Sequence, residues 1–478
     1  MSSSVRAPQG SLKHGHLGFA DVVAQAVGTI APSGTPAFVI LGVFATAGNG
    51  TWLAYLFATL ALLLLALNLN VFASRSASPG ALYTFAGQGL GPFWGNVSGW
   101  ALVIAYLFTA GAVVSGSVNY AEVVLAALFG TGSGPALAAA LSLAVIGGAF
   151  LIAWRSIRLS TRVSLAAEAV TVGAILLVLV AALIHGGSAV DPHQLSLDGV
   201  SPDSLRLGLV LAFFSFVGFE SATVLGHEAR DPLRLIPRSV IVTVLATGIF
   251  FIVAGYILVA AFQGIEPGLD KTDAPLSLLA GRVGLGALGP VIAAGVSASF
   301  FASALASINA AARVIFLLSR HGVLHPRAGD AHATHATPHV AIAASTVIVV
   351  LLSLPLTLGG VGLLDSFAYL GTVATFGFLV AYILVSVAAP LYLRQRGELK
   401  PVNLLLSAAS VLLLILPLVG VLYPVPDYPL NLLPYLFVAL LAAGTLYFLR
   451  LRRVSPRVLD EIQADLDQAS SVAAGARP

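Results

Sequence analysis

The chain contains no cysteine, which excludes disulfide bonds and thiol chemistry. Charge is almost as scarce. Asp, Glu, Lys and Arg make up 9% of its 478 residues, against about 25% in a soluble domain. That deficit, with 58% hydrophobic residues and a mean hydropathy of +0.97, excludes a soluble globular protein. No charged residue falls between Asp21 and Arg75, and none between Arg75 and Glu122. The first 16 residues are polar and hold no apolar core, so a cleavable signal peptide is not expected. No stretch is long and polar enough for the soluble output domain of a receptor-like sensor. The pore-lining polar repeats of a channel are also missing. The net charge of +3 gives no ground for a nucleic-acid partner, because topology explains its placement.

What is present is apolar sequence in lengths that fit a bilayer, about 20 residues per helical crossing. Twelve spans are expected: 19–46, 52–72, 97–122, 136–154, 163–185, 205–226, 238–262, 287–318, 339–358, 365–389, 403–423 and 432–451. The chain therefore reads as all-α and integral to the membrane, with the lipid bilayer as its surroundings. A tail, 1–18, precedes a single membrane domain, 19–451, and a second tail, 452–478, follows. In that second tail "VSPRVLDEIQADLDQ" has the pattern of a short amphipathic helix. Lys and Arg set orientation. All but three of the 23 basic residues fall on the side of the termini; Arg206, Lys271 and Arg282 lie opposite. Both termini are accordingly expected in the cytoplasm, in a cytoplasmic membrane. Loop 324–339 carries His332, His335 and His339, and with Asp330 as its only acid it reads as a solvated loop, not a metal site.

Two spans are interrupted. In the first, "AVGTIAPSGTPAF" puts Pro32, Ser33, Gly34 and Pro36 at mid-membrane depth. Proline removes a donor and clashes with the preceding turn, and Gly34 permits non-helical dihedrals. In the sixth, "SFVGFES" offers Gly218 at matching depth. Freed backbone groups in hydrocarbon cost several kcal/mol unless they line a cavity or meet a ligand. Paired breaks five spans apart are the pattern of an inverted-repeat transporter whose site lies at the midplane. Two acids are also buried within spans, Glu168 and Glu220. A mid-helix carboxylate costs about 2.5–3.5 kcal/mol on insertion scales and is functional by default.

The chain resembles the amino acid–polyamine–organocation transporters over nearly all its length. "GFADVVAQAVGTIAPSG" is similar to that family's first helix, with Pro32 where the first glycine of a Gly-Ser-Gly break is usual. "FSFVGFESATVLGHEARDPLRLIPRSV" is similar to the sixth helix and its following loop, with His227 where a glutamate is commoner. "INAAARVIFLLSRHGVLHP" is similar to the end of the eighth, with "RHG" for Arg-Asp-Gly. The resemblance implies a LeuT-like fold: inverted repeats of five helices over about 19–185 and 205–389, and two extra helices over about 403–451. It implies secondary transport of amino acids or amines by alternating access.

Under that resemblance, Ile30, Ser33, Gly34 and Thr35 surround the first break, whose freed amides face a substrate carboxylate with the half-helix dipole behind them. Carbonyls around Ser215, Phe216 and Val217, beside Gly218, suit an ammonium group. Phe214, Phe216 and Phe219 wall the pocket, with Phe216 foremost, and Tyr106 and Ser366 are further linings. Glu220 is assigned to the substrate site and to gating and protonation. Glu168 falls where proton-coupled relatives carry a lysine in place of sodium. It is expected to carry a proton, or to ligate sodium beside Ser303 and Ser307. No cofactor is expected beyond H+ or Na+ as coupling ion. A dibasic substrate would want two acids, so a small neutral amino acid is expected first. An amine of the ethanolamine or polyamine kind, or substrate exchange, is the alternative. Oligomeric state is left open.

Overall fold

The computed structural model describes residues 17–75, 81–155, 161–186, 190–225, 229–332, 335, 337–455, 459, 462–464 and 466. His227, Glu228 and most of both tails lie outside the described residues. Among those described there is no strand; Leu17 and Ala229 form one isolated bridge.

Among the described residues eleven helical runs are long and apolar enough to cross a membrane, and the first of them, Phe19–Ala73, has 55 residues. At 1.5 Å per residue that run measures about 80 Å, more than twice a hydrocarbon core of about 30 Å. The chain turns within it at Gly48–Gly50, where Gly48 takes φ 52°. The run holds two crossings, which brings the total to twelve.

The first span consists of Phe19–Ile30 and Ile40–Ala47, and the second is Thr51–Ala73. The third to fifth are Pro92–Phe129, Pro135–Arg155 and Thr161–His185. The sixth is Pro202–Phe214 followed by a 3₁₀ segment, Phe219–Leu225. Then come Pro232–Ala261, Leu288–Arg320, His339–Leu358 and Leu363–Gln395. Pro401–Leu422 and Leu433–Val454 complete the set. A helix at Ala81–Leu90 joins the second span to the third.

The third span is longer than the apolar stretch 97–122. Pro92 opens it at the first turn, where its missing N–H costs nothing, and Gly130 closes it in the left-handed conformation, φ 63°. This helix is the axis of the molecule. It is buried from Ala101 to Ala105 and again from Leu107 to Tyr120, with only Tyr106 half-buried between. Small residues let neighbouring helices approach its backbone, as membrane packing favours. A Cβ on Gly377 of the tenth span would sit 2.6 Å from the Ala101 carbonyl oxygen, so glycine alone fits there.

Candidate functional site

The first break is built differently from the dihedral argument for Gly34. Helix Phe19–Ile30 ends on Ala31, which takes the left-handed conformation at φ 54°, ψ 61°, while its N–H still reaches Val27 O at 3.1 Å. Holding an L-residue there costs about 1–2 kcal/mol. Pro32 forces this stop because it cannot continue the ladder. Gly34 itself is right-handed helical, φ −66°. Its missing side chain serves packing instead: a Cβ would lie 2.5 Å from Cε1 of Phe300 on the eighth span. Beyond it Thr35–Val39 forms one π-helical turn, a form concentrated at functional sites.

The amides of this break are mostly committed within the protein. Ser33 N–H donates to Oε1 of Glu168 at 2.7 Å, and Gly34 N–H donates to Ala31 O at 2.9 Å. Pro32 and Pro36 have no N–H. Glu168, buried on the fifth span, is thus tied to the first-span break, with Ser299 of the eighth span flanking its carboxylate. The Ser33 hydroxyl lies beside the same carboxylate yet makes no hydrogen bond of acceptable geometry. Ser303 donates instead to Thr29 O at 3.3 Å, and Ser307 is buried one turn further along.

At the sixth-span break the helix stops at Phe214, and Gly218 takes φ 104°, a conformation that L side chains rarely adopt. The two breaks touch here. A Cβ on Gly218 would meet Thr29 Cγ2 at 2.5 Å, and Ser221 Oγ donates to Thr29 Oγ1 at 3.1 Å. Phe216 N–H bonds Phe213 O, Val217 N–H bonds Phe214 O, and Phe219 N–H bonds Phe216 O. The carbonyls of Ser215 and Val217 are left without a backbone partner among the described residues.

Between the breaks lies a narrow, largely filled space. Ile30, Ala31, Thr35 and Val39 bound it from the first span, and Phe214, Ser215 and Val217 from the sixth. Thr109 and Val113 of the third span, Phe300 and Ser303 of the eighth and Phe367 of the tenth close it. Phe367 packs edge-on against Phe38, Phe214 and Phe300, with ring centroids 5.1, 5.5 and 5.7 Å apart. The lining is apolar apart from four hydroxyls, and none of the described residues in it is charged.

Of the substrate-site residues expected from the sequence, Ile30, Thr35 and Ser215 line this space, as does Ser303 from the coupling set. Ser33, Gly34 and Gly218 lie behind it in the two breaks. Phe216 does not wall it: its ring turns to the seventh span and packs on Phe251 at 5.1 Å, because the turn at 215–218 rotates it away. Phe219 likewise packs on Tyr382, leaving Phe214 as the sixth-span aromatic in the cavity. Ser366 is buried beside the lining residue Phe367 but is not itself part of the wall.

Glu220 and Tyr106 lie together outside the lining. Tyr106 O–H donates to Glu220 Oε1 at 3.1 Å, Tyr382 O–H donates to Oε2 at 3.0 Å, and Gly218 N–H donates to Oε2 at 3.2 Å. The carboxylate thereby ties the third, sixth and tenth spans together. Thr109, Val113 and Phe367 carry no mark in the sequence that singles them out. In the histidine loop the His332 and His335 rings stand 4.8 Å apart, and those of His332 and His339 5.2 Å apart, against Trp154. No group of His, Cys, Asp and Glu suited to a metal ion occurs among the described residues.

The family model described as amino acid permease matches residues 21–423. The chain belongs to the amino acid permease family. It is 28% identical to the branched-chain amino acid permease BcaP of Bacillus subtilis (strain 168), over 81% of this chain and 83% of that protein. It is 26% identical to the low-affinity putrescine importer PlaP of Escherichia coli (strain K12), over 72% and 74%. Among solved structures it is similar to MhsT in complex with L-phenylalanine, with a TM-score of 0.59 and 14% identity, covering 85% of this chain and 99% of that one. That likeness shows the LeuT-like fold. As a member of this family the permease is a multi-pass membrane transporter of amino acids or amines.

Proposed function

We propose that this permease carries a neutral amino acid with an apolar side chain by alternating access, driven by protons. The observation behind the substrate is the cavity lining, which has hydroxyl-bearing residues and apolar walls and, among the described residues, no charge. A zwitterion needs no net countercharge, and its side chain gains by leaving water at about 25 cal/mol per Å². A diamine would bring two positive charges into a space with no acid. Glu220 does not serve it, since both its oxygens are held by tyrosines and Gly218. The branched-chain permease relative supports the same reading. The putrescine importer supports the amine alternative, and the two separate by ligand-induced stabilisation. Binding to the folded form raises the melting temperature as ligand exceeds its Kd. Leucine, valine or isoleucine should stabilise the purified protein and putrescine should not; the reverse order favours the amine reading.

Proton coupling rests on Glu168, a buried acid joined to the break that must move between states. Sodium ligation is the competing role, with hydroxyl and carbonyl oxygens nearby. The distribution of Lys and Arg supports cytoplasmic termini. The absence of native cysteine makes this simple to check, because a single cysteine at the exposed Ala331 should react with an impermeant maleimide only after cells are opened. Labelling from outside intact cells inverts the topology.

A further inference from the structure

Thr109 is 3% exposed, lines the cavity, and its hydroxyl has no hydrogen-bond partner among the described residues. Buried hydroxyls are ordinarily bonded, and on a helix a threonine often folds back onto the carbonyl four residues earlier. Thr171, Thr247, Thr357, Thr372 and Thr375 all do so in this chain. Thr109 does not use Ala105 O. Other buried unpartnered hydroxyls occur at Ser33, Thr243, Ser345, Ser353 and Ser366, but none of those residues lines the cavity. Two of the remaining hydroxyls there are better supplied: Ser215 bonds Tyr55 and Leu211 O, and Ser303 bonds Thr29 O.

We propose that Thr109 is a specificity-determining residue that accepts a hydrogen bond from the substrate's α-ammonium group. The inference rests on the neutral amino acid reading above. An ammonium group needs acceptors, and with no acid in the cavity they must be neutral. Ser215 and Val217 on the sixth span line the cavity and their carbonyls have no backbone partner among the described residues, and Thr109 adds a hydroxyl with two lone pairs from the third. Its own proton then has Ala105 O within the same helix turn as acceptor. The positive end of the half-helix beginning at Thr35 favours the carboxylate on the first-span side, which leaves the ammonium for this side.

The test uses the purified full chain in proteoliposomes, with labelled leucine and two competitors: leucine and 4-methylpentanoate, which lacks the amino group. Thr109→Val keeps the shape and removes the hydroxyl; Thr109→Ser keeps the hydroxyl. Thr109→Val should raise the half-saturating leucine concentration about tenfold or more, the size of a hydrogen bond to a charged group. The preference for leucine over 4-methylpentanoate should fall by the same factor, a change that looser packing alone would not produce. Thr109→Ser should stay within about twofold of wild type. Should Thr109→Val not fold, Thr109→Ala against Thr109→Ser gives the same comparison. Unchanged discrimination in a variant without the hydroxyl overturns the proposal alone. A wild type that takes up no neutral amino acid overturns the substrate reading and this proposal with it.

Discussion

Glu168→Gln is expected to abolish pH-gradient-driven accumulation while leaving substrate exchange in place. The reason lies in the bond that ties this side chain to the first-span break. Ser33 N–H donates to Glu168 Oε1 at 2.7 Å, and a glutamine carbonyl oxygen accepts the same bond, so the break keeps its shape. Glutamine carries no exchangeable acidic proton, so nothing is delivered across the membrane. A gradient of one pH unit is worth about 1.36 kcal/mol, or tenfold accumulation for one proton per substrate. Wild type should approach that factor and the variant should stay near equality. A sodium ligand so changed would instead weaken sodium dependence and leave the pH response alone. Uptake under imposed pH gradients, with and without sodium, reads both. Accumulation by Glu168→Gln equal to wild type places the coupling elsewhere, with Glu220 the next residue to change. An acid also suits this position in a way that a lysine would not. Lysine has no acceptor to offer the Ser33 amide.

Gly34→Leu is expected to abolish binding in a protein that still inserts, and Gly34→Ala to weaken it by about tenfold, the low end of an overpacking cost of about 1–3 kcal/mol. The Phe300 ring sits in a slot between two glycines: a Cβ on Gly34 would lie 2.5 Å from it and a Cβ on Gly116 2.8 Å. It cannot swing aside, because Phe38 and Phe367 pack against it at 6.1 and 5.7 Å. Displacing the ring drives it into the cavity that it lines. Phe300→Leu combined with Gly34→Ala should therefore recover part of the loss, a coupling that a double-mutant cycle measures directly. Wild-type uptake by Gly34→Leu, or strict additivity in the cycle, shows that the slot is not closed as described.

The spans and both breaks are legible in the sequence because each rests on local chemistry: apolar length, proline, glycine. Gly218 stands out by its place among large residues, and its backbone is left-handed as a glycine break requires. Gly34 stands out for a different physical reason from the one that applies. Its value lies in contact with a helix far along the chain, which no local rule reports, and the left-handed residue is Ala31 instead. The cavity is only half legible for the same reason. Ile30, Thr35 and Ser215 lie next to the breaks and can be read from them. Thr109, Phe300 and Phe367 come from spans without interruptions, where a threonine or phenylalanine looks like any other helix residue. A weak signal does exist at Phe300, a large ring in the small-residue run "GVSASFFASALAS". Phe216 points away from the cavity because its place in the turn is local information and the direction of its ring is not.

The most direct measurement is counterflow of labelled substrate into proteoliposomes preloaded with the same unlabelled compound, leucine in one set and putrescine in another. A cavity without charge predicts a saturable transient overshoot with leucine and none with putrescine. Overshoot with putrescine, and none with leucine, would contradict the account at its base.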